Sequence, residues 1–323
     1  MQKRVYYLLL FLFLSSPAIA WQDTLLTSPY RPKPFVKLNK SPEALGISQD
    51  VRKRNAILVN PPLNIALFGV DSRNSYFDGN ADVIMIISID LKTQKIKMSS
   101  ILRDTYVNIE GKGMDKINAA YAEGGPQLAI KTINQNFEMD IKDYMKVEFL
   151  NAARIVDALG GVAISLKSEE LPFLNNYLKE ISFAGDVLVP VTKPGLQTLT
   201  GRQAVAYTRI RDAGRGDYER TDRQKAVMVS LFSKMQGAGV DILPAFLSEI
   251  LPNVETSLNQ MMLYTIGSNI LSSKSKIIEQ GRFPLDSASK GERIDNVWYL
   301  KTDLKATTAS LYNFIYKDIK PLE

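Results

Sequence analysis

The chain has 323 residues, 45% of them hydrophobic, and contains neither cysteine nor histidine. This composition supports one large or two modest globular domains, and it excludes disulfides, cysteine nucleophiles, serine–histidine–aspartate triads and the usual zinc sites. Any chemistry must therefore use carboxylates, arginine, lysine, hydroxyl groups or a metal held by oxygen, and oxygen ligands suit Mg²⁺, Mn²⁺ or Ca²⁺.

Residues 1–20 predict an export signal. Lys3 and Arg4 precede an apolar run, and an A-x-A sequence at residues 18–20 provides a cleavage site before Trp21. The apolar run is shorter than the ~20 residues that span a bilayer, so we expect cleavage, with retention as a signal anchor as the alternative. The net charge of +6 then favours anionic glycans, lipid phosphates and the membrane surface as partners outside the cytoplasm. We expect no nucleic acid among the partners.

Residues 21–56 contain several prolines and the basic cluster at residues 52–54 but show little periodicity. We interpret them as a linker or extended arm. The remaining residues, 57–323, are predicted to form the globular domain.

Two short apolar segments near the start of this domain, Ile65–Val70 and Val83–Ile89, predict buried strands, and Lys95–Ile101 is a further strand candidate. Asp71 follows the first segment and Asp82 precedes the second. If these two strands are antiparallel neighbours, both carboxylates lie at one edge of the sheet.

Arginines accompany these carboxylates. Arg73 lies two residues after Asp71, and Arg103 with Asp104 follows the third strand segment. An isolated D-x-R sequence is typical of a solvated hairpin loop. Three segments that each end in charge favour a functional site instead, because functional groups gather at strand ends and in the loops beyond them.

The chain then alternates between helix and strand patterns. A helix from Lys116 is closed by Gly124-Gly125, and a second helix follows from Pro126. Further segments predict a strand at 144–149, a helix at 152–159 and a strand at 162–166, whereas residues 168–194 are not readable. This alternation predicts a layered α/β domain. Thr200 is predicted to cap a short helix that runs to Tyr207, and the domain is completed by a helix at 258–271, a strand near Ile277, a polar loop and a helix at 303–316.

A basic cluster occupies residues 209–223. Arg220, Arg223 and Gln224 fall on one face of a predicted helix, and Arg209 and Arg211 precede it. Two interpretations stay open at this point. The arginines form ion pairs with the acidic residues among them, or they bind an anion.

The carboxylates and arginines together predict phosphoryl transfer. Arginine offers paired hydrogen bonds and a permanent charge to phosphate or pyrophosphate. Carboxylates beside phosphate make sense if Mg²⁺ bridges them to phosphate oxygens, or if one accepts a proton from an incoming hydroxyl. The arginines would then stabilise the charge of the transition state.

The same residues resemble the LytR-CpsA-Psr family. The motifs are G-x-D-x-R at 69–73, the aspartate at 82, S-I-x-R-D-T at 100–105, K-I-N-A-A-Y-A-x-G-G at 116–125, and the later Y-T-R-x-R and R-x-x-R-Q. They occur in family order between about Leu63 and Val227, which is more specific than any single motif.

The resemblance implies an extracytoplasmic domain with three α/β/α layers and a mixed central sheet flanked by helices. It implies a phosphotransferase that moves a glycan polymer, such as teichoic acid or capsular polysaccharide, from a polyprenyl-pyrophosphate carrier to peptidoglycan or a related wall acceptor. The expected catalytic residues are Asp71, Asp82, Arg73 and Arg103. The expected pyrophosphate-binding residues are Arg73, Arg103, Arg209, Arg211, Arg220, Arg223 and Gln224. The expected ligands of Mg²⁺ or Mn²⁺ are Asp71 and Asp82.

Two residues depart from the family pattern. Asn80 replaces the usual arginine two residues before the second aspartate, and Leu102 replaces proline. A missing arginine would weaken phosphate binding, so a non-catalytic protein that binds lipid-linked or anionic wall polymers is the alternative. The carboxylates separate these hypotheses, since a binder of anions gains nothing from Asp71 and Asp82. We expect Arg282, Arg293 and Trp298 to be structural.

Overall fold

The computed structural model describes residues 35–71, 79–182, 188–214, 216–240, 243–273 and 277–321. These residues belong to one unit that runs from Lys33. The predicted export signal at residues 1–20, as well as Arg73 and Arg215, lies outside the described residues. Within those ranges, no helix has both the length and the apolar character needed to cross a membrane.

A mixed sheet of six strands forms the centre. The strands are β1 (Leu63–Val70), β2 (Ala81–Ile89), β3 (Ile96–Ile101), β6 (Asp143–Glu148), β9 (Glu255–Thr256) and β10 (Ile278–Phe283). They lie side by side in the order β10-β3-β2-β1-β6-β9. β1 and β2 are antiparallel neighbours, which is the arrangement considered for the two apolar segments, and β3 is antiparallel to β2. β6 runs parallel to β1, β10 runs parallel to β3, and β9 is antiparallel to β6.

Three helices cover one face of the sheet: α1 (Gln49–Ala56), α2 (Ala119–Phe137) and α9 (Leu304–Lys317). Phe68 of β1 packs there against Tyr121 of α2, with ring centroids 5.2 Å apart. Gly124 and Gly125 interrupt the helical backbone of α2, and Gly125 has φ +60°, so the predicted break is present as a kink.

The opposite face packs against α6 (Asp217–Ala238), α7 (Leu243–Ile250) and α8 (Gln260–Ser272). The apolar cluster between the sheet and these helices, called the second layer below, contains six methionines: Met85, Met98, Met145, Met228, Met235 and Met262. The expected fold, a three-layer α/β/α domain with a mixed central sheet flanked by helices, is confirmed.

A smaller cluster lies beside the second layer. β7 (Val162–Leu166) pairs with β8 (Gly195–Leu199) in a separate two-stranded sheet, packed by α3 (Phe149–Ala158), α4 (Leu171–Glu180) and α5 (Gly201–Arg209). Thr200 caps α5 reciprocally with Gln203, as the predicted cap requires. The unreadable segment thus contains α4.

Two hairpins were not predicted. β4 (Tyr106–Ile109) pairs with β5 (Gly113–Lys116), and β11 (Ser289–Ile294) pairs with β12 (Val297–Thr302). The second hairpin was expected to be a polar loop.

The interpretation of residues 21–56 as a linker differs from the structure over its second half. Ser48 caps α1, and Leu38, Leu45, Ile47 and Val51 are buried in the first layer. These apolar residues are too few and too irregularly spaced to give a helical signal, yet burial fixes them in place. The domain therefore begins before residue 57.

Candidate functional site

The charged residues at the strand ends converge on one edge of the sheet. Val70 lies opposite Ala81 in the antiparallel β1–β2 pair. Asp71, the residue after Val70, and Asp82, the residue after Ala81, therefore lie at the same edge. β3 runs antiparallel to β2 and brings Arg103 to that edge as well. The predicted shared edge is confirmed for these three residues.

Asp82 and Arg103 form the centre of the site. Arg103 Nη1 donates to Asp82 Oδ1, and each side chain is 17% exposed. Arg103 Nε lies 3.2 Å from Asp217 Oδ2 and 3.6 Å from Asp104 Oδ2. Burial acts to raise the pKa of Asp82, but the charges of Arg103, Arg220 and Arg211 outweigh it and lower that pKa below its ordinary value. Asp82 is therefore ionised at neutral pH.

Asp71 lies beside Arg209, the last residue of α5. Arg209 Nη1 donates to Asp71 Oδ2 over 3.1 Å. The guanidinium is 5.3 Å from the centroid of the Phe149 ring and 5.9 Å from that of Tyr177. These ring contacts hold a cation against the edge of the sheet.

Arg220, in the first turn of α6, is a buried cation with an incomplete set of partners. Its side chain is 3% exposed, Nη2 lies 2.9 Å from Asp217 Oδ2, and among the described residues its buried Nε has no hydrogen-bond partner. Burial, together with repulsion from Arg103 and Arg211, lowers the pKa of Arg220 to about 10. An anion bound here would provide a hydrogen-bond acceptor for Nε and would offset the repulsion from the neighbouring arginines.

Arg211 is the most open of these arginines. Its side chain is 43% exposed, and Nη2 lies 3.7 Å from Asp82 Oδ2. It can therefore reorient toward a ligand at little energetic cost.

Arg223 was predicted to bind pyrophosphate, but its donors point into the protein. Nε lies 2.8 Å from Glu170 Oε1, and both side chains are 4% exposed. Nη1 and Nη2 donate to the carbonyl oxygens of Ile210 and Ala213. Arg223 thus fixes the loop that carries Arg211. The neighbouring Gln224 is buried in the same helix.

Three residues of the site were not among the predicted site residues. Asp217 contacts both Arg103 and Arg220. It belongs to the acidic residues that were expected to pair within the basic cluster, and its position three residues before Arg220 was the available signal. Asp104 forms an ion pair with Lys116, with Oδ1 2.7 Å from Nζ. Glu170 lies in the segment without readable periodicity, so nothing in the sequence marked it.

Asp71 and Asp82 are the expected ligands of Mg²⁺ or Mn²⁺. Within the described ranges, no group of three or more acidic side chains could hold a metal ion. Mg²⁺, however, is commonly bound by only one or two carboxylates together with substrate phosphates. Asp71 and Asp82, the latter with a lowered pKa, fit this pattern if a diphosphate supplies the remaining oxygens.

Comparison with known proteins gives a consistent result. The LytR_cpsA_psr family model matches residues 35–314. A polyisoprenyl-teichoic acid–peptidoglycan teichoic acid transferase, TagU of Oceanobacillus iheyensis, is 33% identical over 268 residues, which covers 78% of this chain and 73% of the relative.

Solved structures share the fold. TagV of B. subtilis is 26% identical with a TM-score of 0.64, covering 82% of this chain and 100% of that one. A TagT structure with bound octaprenyl pyrophosphate lipid has 23% identity and a TM-score of 0.64, covering 87% and 99% of the two chains, and supports the fold alone.

Proposed function

Because the chain belongs to the LytR-CpsA-Psr family, we propose that it is an extracytoplasmic phosphotransferase. It moves a glycan polymer from a polyprenyl-pyrophosphate carrier to peptidoglycan or a related wall acceptor. The activity that TagU relatives carry in their name, transfer of teichoic acid to peptidoglycan, is the form we favour. The export signal predicted at residues 1–20 puts the domain on the side of the membrane where the wall lies.

The observation that carries the proposal is the buried, incompletely partnered Arg220. A side chain that is 3% exposed, with its Nε lacking a partner among the residues described, is costly unless a ligand completes it. Arg103 and Arg211 lie close enough to lower its pKa. The neighbouring guanidiniums of Arg103, Arg211 and Arg220 suit the distributed charge of a diphosphate.

The second layer suits the lipid tail. Its methionines are unbranched and flexible, so they adapt to an irregular apolar guest. α6 connects the two regions, since it begins with Asp217 and Arg220 and continues with Met228, Phe232 and Met235. The pyrophosphate would lie at the start of this helix and the tail alongside it.

The carboxylates provide the chemistry. A hydroxyl oxygen of the acceptor attacks the phosphorus that bears the glycan, and the bond from this phosphorus to the polyprenyl phosphate oxygen breaks. The hydroxyl proton passes to Asp71 or Asp82, and the products are a glycan–phosphate–acceptor diester and polyprenyl phosphate. Arg103, Arg211 and Arg220 stabilise the charge that develops on the phosphoryl oxygens.

We also propose that Mg²⁺, or Mn²⁺, assists this site. Asp71 and Asp82 would hold the ion together with oxygens of the diphosphate. A bound cation would neutralise phosphate charge and make the leaving phosphate easier to displace. The lowered pKa of Asp82 supports this role because a metal ligand must be deprotonated.

The decisive experiment supplies purified protein with polyprenyl-pyrophosphate oligosaccharide and peptidoglycan fragments, with and without Mg²⁺. Asp82→Asn should reduce transfer at least ~10²-fold, as expected for loss of a general base, while donor binding persists or tightens because a negative charge is removed. The matched control is Asp222→Asn, which makes the same change at a side chain that is 46% exposed on α6.

Two outcomes would reject the proposal. Full transfer by both Asp71→Asn and Asp82→Asn would remove the catalytic assignment. Donor binding without transfer by the natural protein would favour the polymer-binding alternative and direct attention to Asn80, where the family arginine is absent.

A further inference from the structure

The two unpredicted hairpins join into one ribbon next to the site. Thr105, just before β4, bridges in parallel to Leu300 of β12, and Leu300 N donates to Asp104 O over 2.9 Å. The hairpins are separate two-stranded sheets, and this one bridge between β12 and the residue before β4 joins them into the ribbon. Asp104 belongs both to the ribbon and to the surroundings of Arg103.

Two tyrosines form a pair on this ribbon. The rings of Tyr106 and Tyr299 have centroids 4.8 Å apart and are tilted by 57°. Both residues are partly exposed. Lys116 Nζ lies 5.7 Å from the centroid of the Tyr299 ring, and burial together with the nearby Asp115 carboxylate raises the pKa of the Tyr299 hydroxyl.

This pair is connected to the catalytic edge by short contacts. Lys116 Nζ, above Tyr299, is also 2.7 Å from Asp104 Oδ1. Asp104 Oδ2 is in turn 3.6 Å from Arg103 Nε. A ligand held on the rings would therefore lie one side chain away from the charged residues of the site.

Packing accounts for a neighbouring aromatic residue but not for this pair. Trp298 lies across Gly291, where an added Cβ would be 3.0 Å from the indole ring, so it fills the gap left by a glycine in the facing strand. Tyr106 and Tyr299 are instead partly exposed side chains with a carboxylate and an ammonium group beside them. Apolar faces that fix position and a few polar groups that fix orientation are typical of a small-molecule site.

We propose that Tyr106 and Tyr299 form an acceptor subsite that binds one sugar ring of the wall glycan. The C–H face of a pyranose packs on the aromatic rings, and its hydroxyl or amide groups pair with Asp115 and Lys116. This inference rests on the proposed function, because it names where the acceptor binds. The donor, by contrast, is held by the arginines and the second layer.

Steady-state kinetics separate acceptor from donor binding. Tyr299→Leu keeps apolar bulk against Tyr106 but removes the ring, and we expect the acceptor KM to rise on the order of tenfold while the donor KM and kcat stay unchanged. Tyr299→Phe should retain the natural KM, since it keeps the ring. Tyr106→Leu provides a second variant with the same expected effect. The control Tyr264→Leu changes a tyrosine that is 49% exposed on α8 and should alter no constant.

A binding measurement without donor keeps the test independent of catalysis. The hexamer of N-acetylglucosamine should bind the natural protein and Tyr299→Phe in calorimetric titration, and should bind Tyr299→Leu about tenfold more weakly. If the natural protein transfers no glycan, the proposed function fails, but this titration still decides the subsite. An unchanged acceptor KM in both leucine variants, or equal hexamer affinity in all variants, would overturn the inference.

Discussion

Replacing Arg223 by methionine should destabilise the protein rather than remove a ligand contact. Arg223 and Glu170 are each 4% exposed and lie 2.8 Å apart. Breaking such a pair leaves a buried charge without compensation, which costs about 3–5 kcal/mol. The carbonyls of Ile210 and Ala213 also lose a donor. We therefore expect the free energy of unfolding to fall by about 4 kcal/mol.

Urea unfolding with linear extrapolation measures this loss. The matched control is Arg211→Met, because this side chain is 43% exposed and 3.7 Å from its carboxylate partner, so its loss should cost less than about 1 kcal/mol. The double variant Arg223→Met, Glu170→Leu removes both charges of this pair and should recover part of the stability, because the carbonyls of Ile210 and Ala213 still lack a donor and Glu219 still loses its contact with Arg223 Nη2. If Arg223→Met unfolds within ~1 kcal/mol of the natural protein and yet binds the donor poorly, Arg223 contacts the ligand directly and the reasoning fails.

Three further predictions concern charge and packing. Affinity for inorganic pyrophosphate, measured by calorimetry, should decline as the pH rises through about 10, where Arg220 loses its proton, and Arg220→Met should abolish this step. The ionised form of Asp82 stabilises the folded protein. This contribution is complete above the ordinary aspartate pKa of 3.8 and is lost as the pH falls through the lower pKa of the folded state. The stability advantage of the natural protein over Asp82→Asn should therefore disappear in acid unfolding experiments. Gly201→Ala should lower the free energy of unfolding by about 2 kcal/mol, because the added Cβ would lie 1.9 Å from the Ala153 carbonyl oxygen. The control Gly237→Ala, where an added Cβ would have nothing within 4 Å, should leave this free energy unchanged or raise it by up to ~1 kcal/mol. Thermal unfolding measures both effects.

The strands and helices of the central layers could be predicted because their signals are local. β1 and β2 contain nearly continuous apolar segments bounded by polar residues, and the Gly124-Gly125 break and the Thr200 cap depend on single residue types. The β11–β12 hairpin gave no such signal, because four of the six residues in β11 are exposed and only Leu300 of β12 is buried, so neither strand shows an alternating pattern. Its turn uses Asp295 and Asn296 with φ of 48° and 64°, a pattern that depends on backbone conformation.

The site was predictable in position but not in the division of roles. Strand ends locate Asp71, Asp82 and Arg103, since register alone brings them together. The sequence could not distinguish Arg220, which is left incompletely paired, from Arg223, whose partner Glu170 is 53 positions away. Such long-range pairing depends on tertiary packing, which no local pattern encodes.

Helix α6 has a consequence for how this protein can change during evolution. Its 22 residues rise ~33 Å, with Arg220 in the first turn and Met228, Phe232 and Met235 further along. One inserted residue between these regions would rotate the methionine side of the helix by about 100° relative to Arg220. A single-residue insertion or deletion between Arg220 and Met228 would therefore disrupt the alignment of the two regions, whereas side-chain replacement or a change of length beyond Met235 would preserve it.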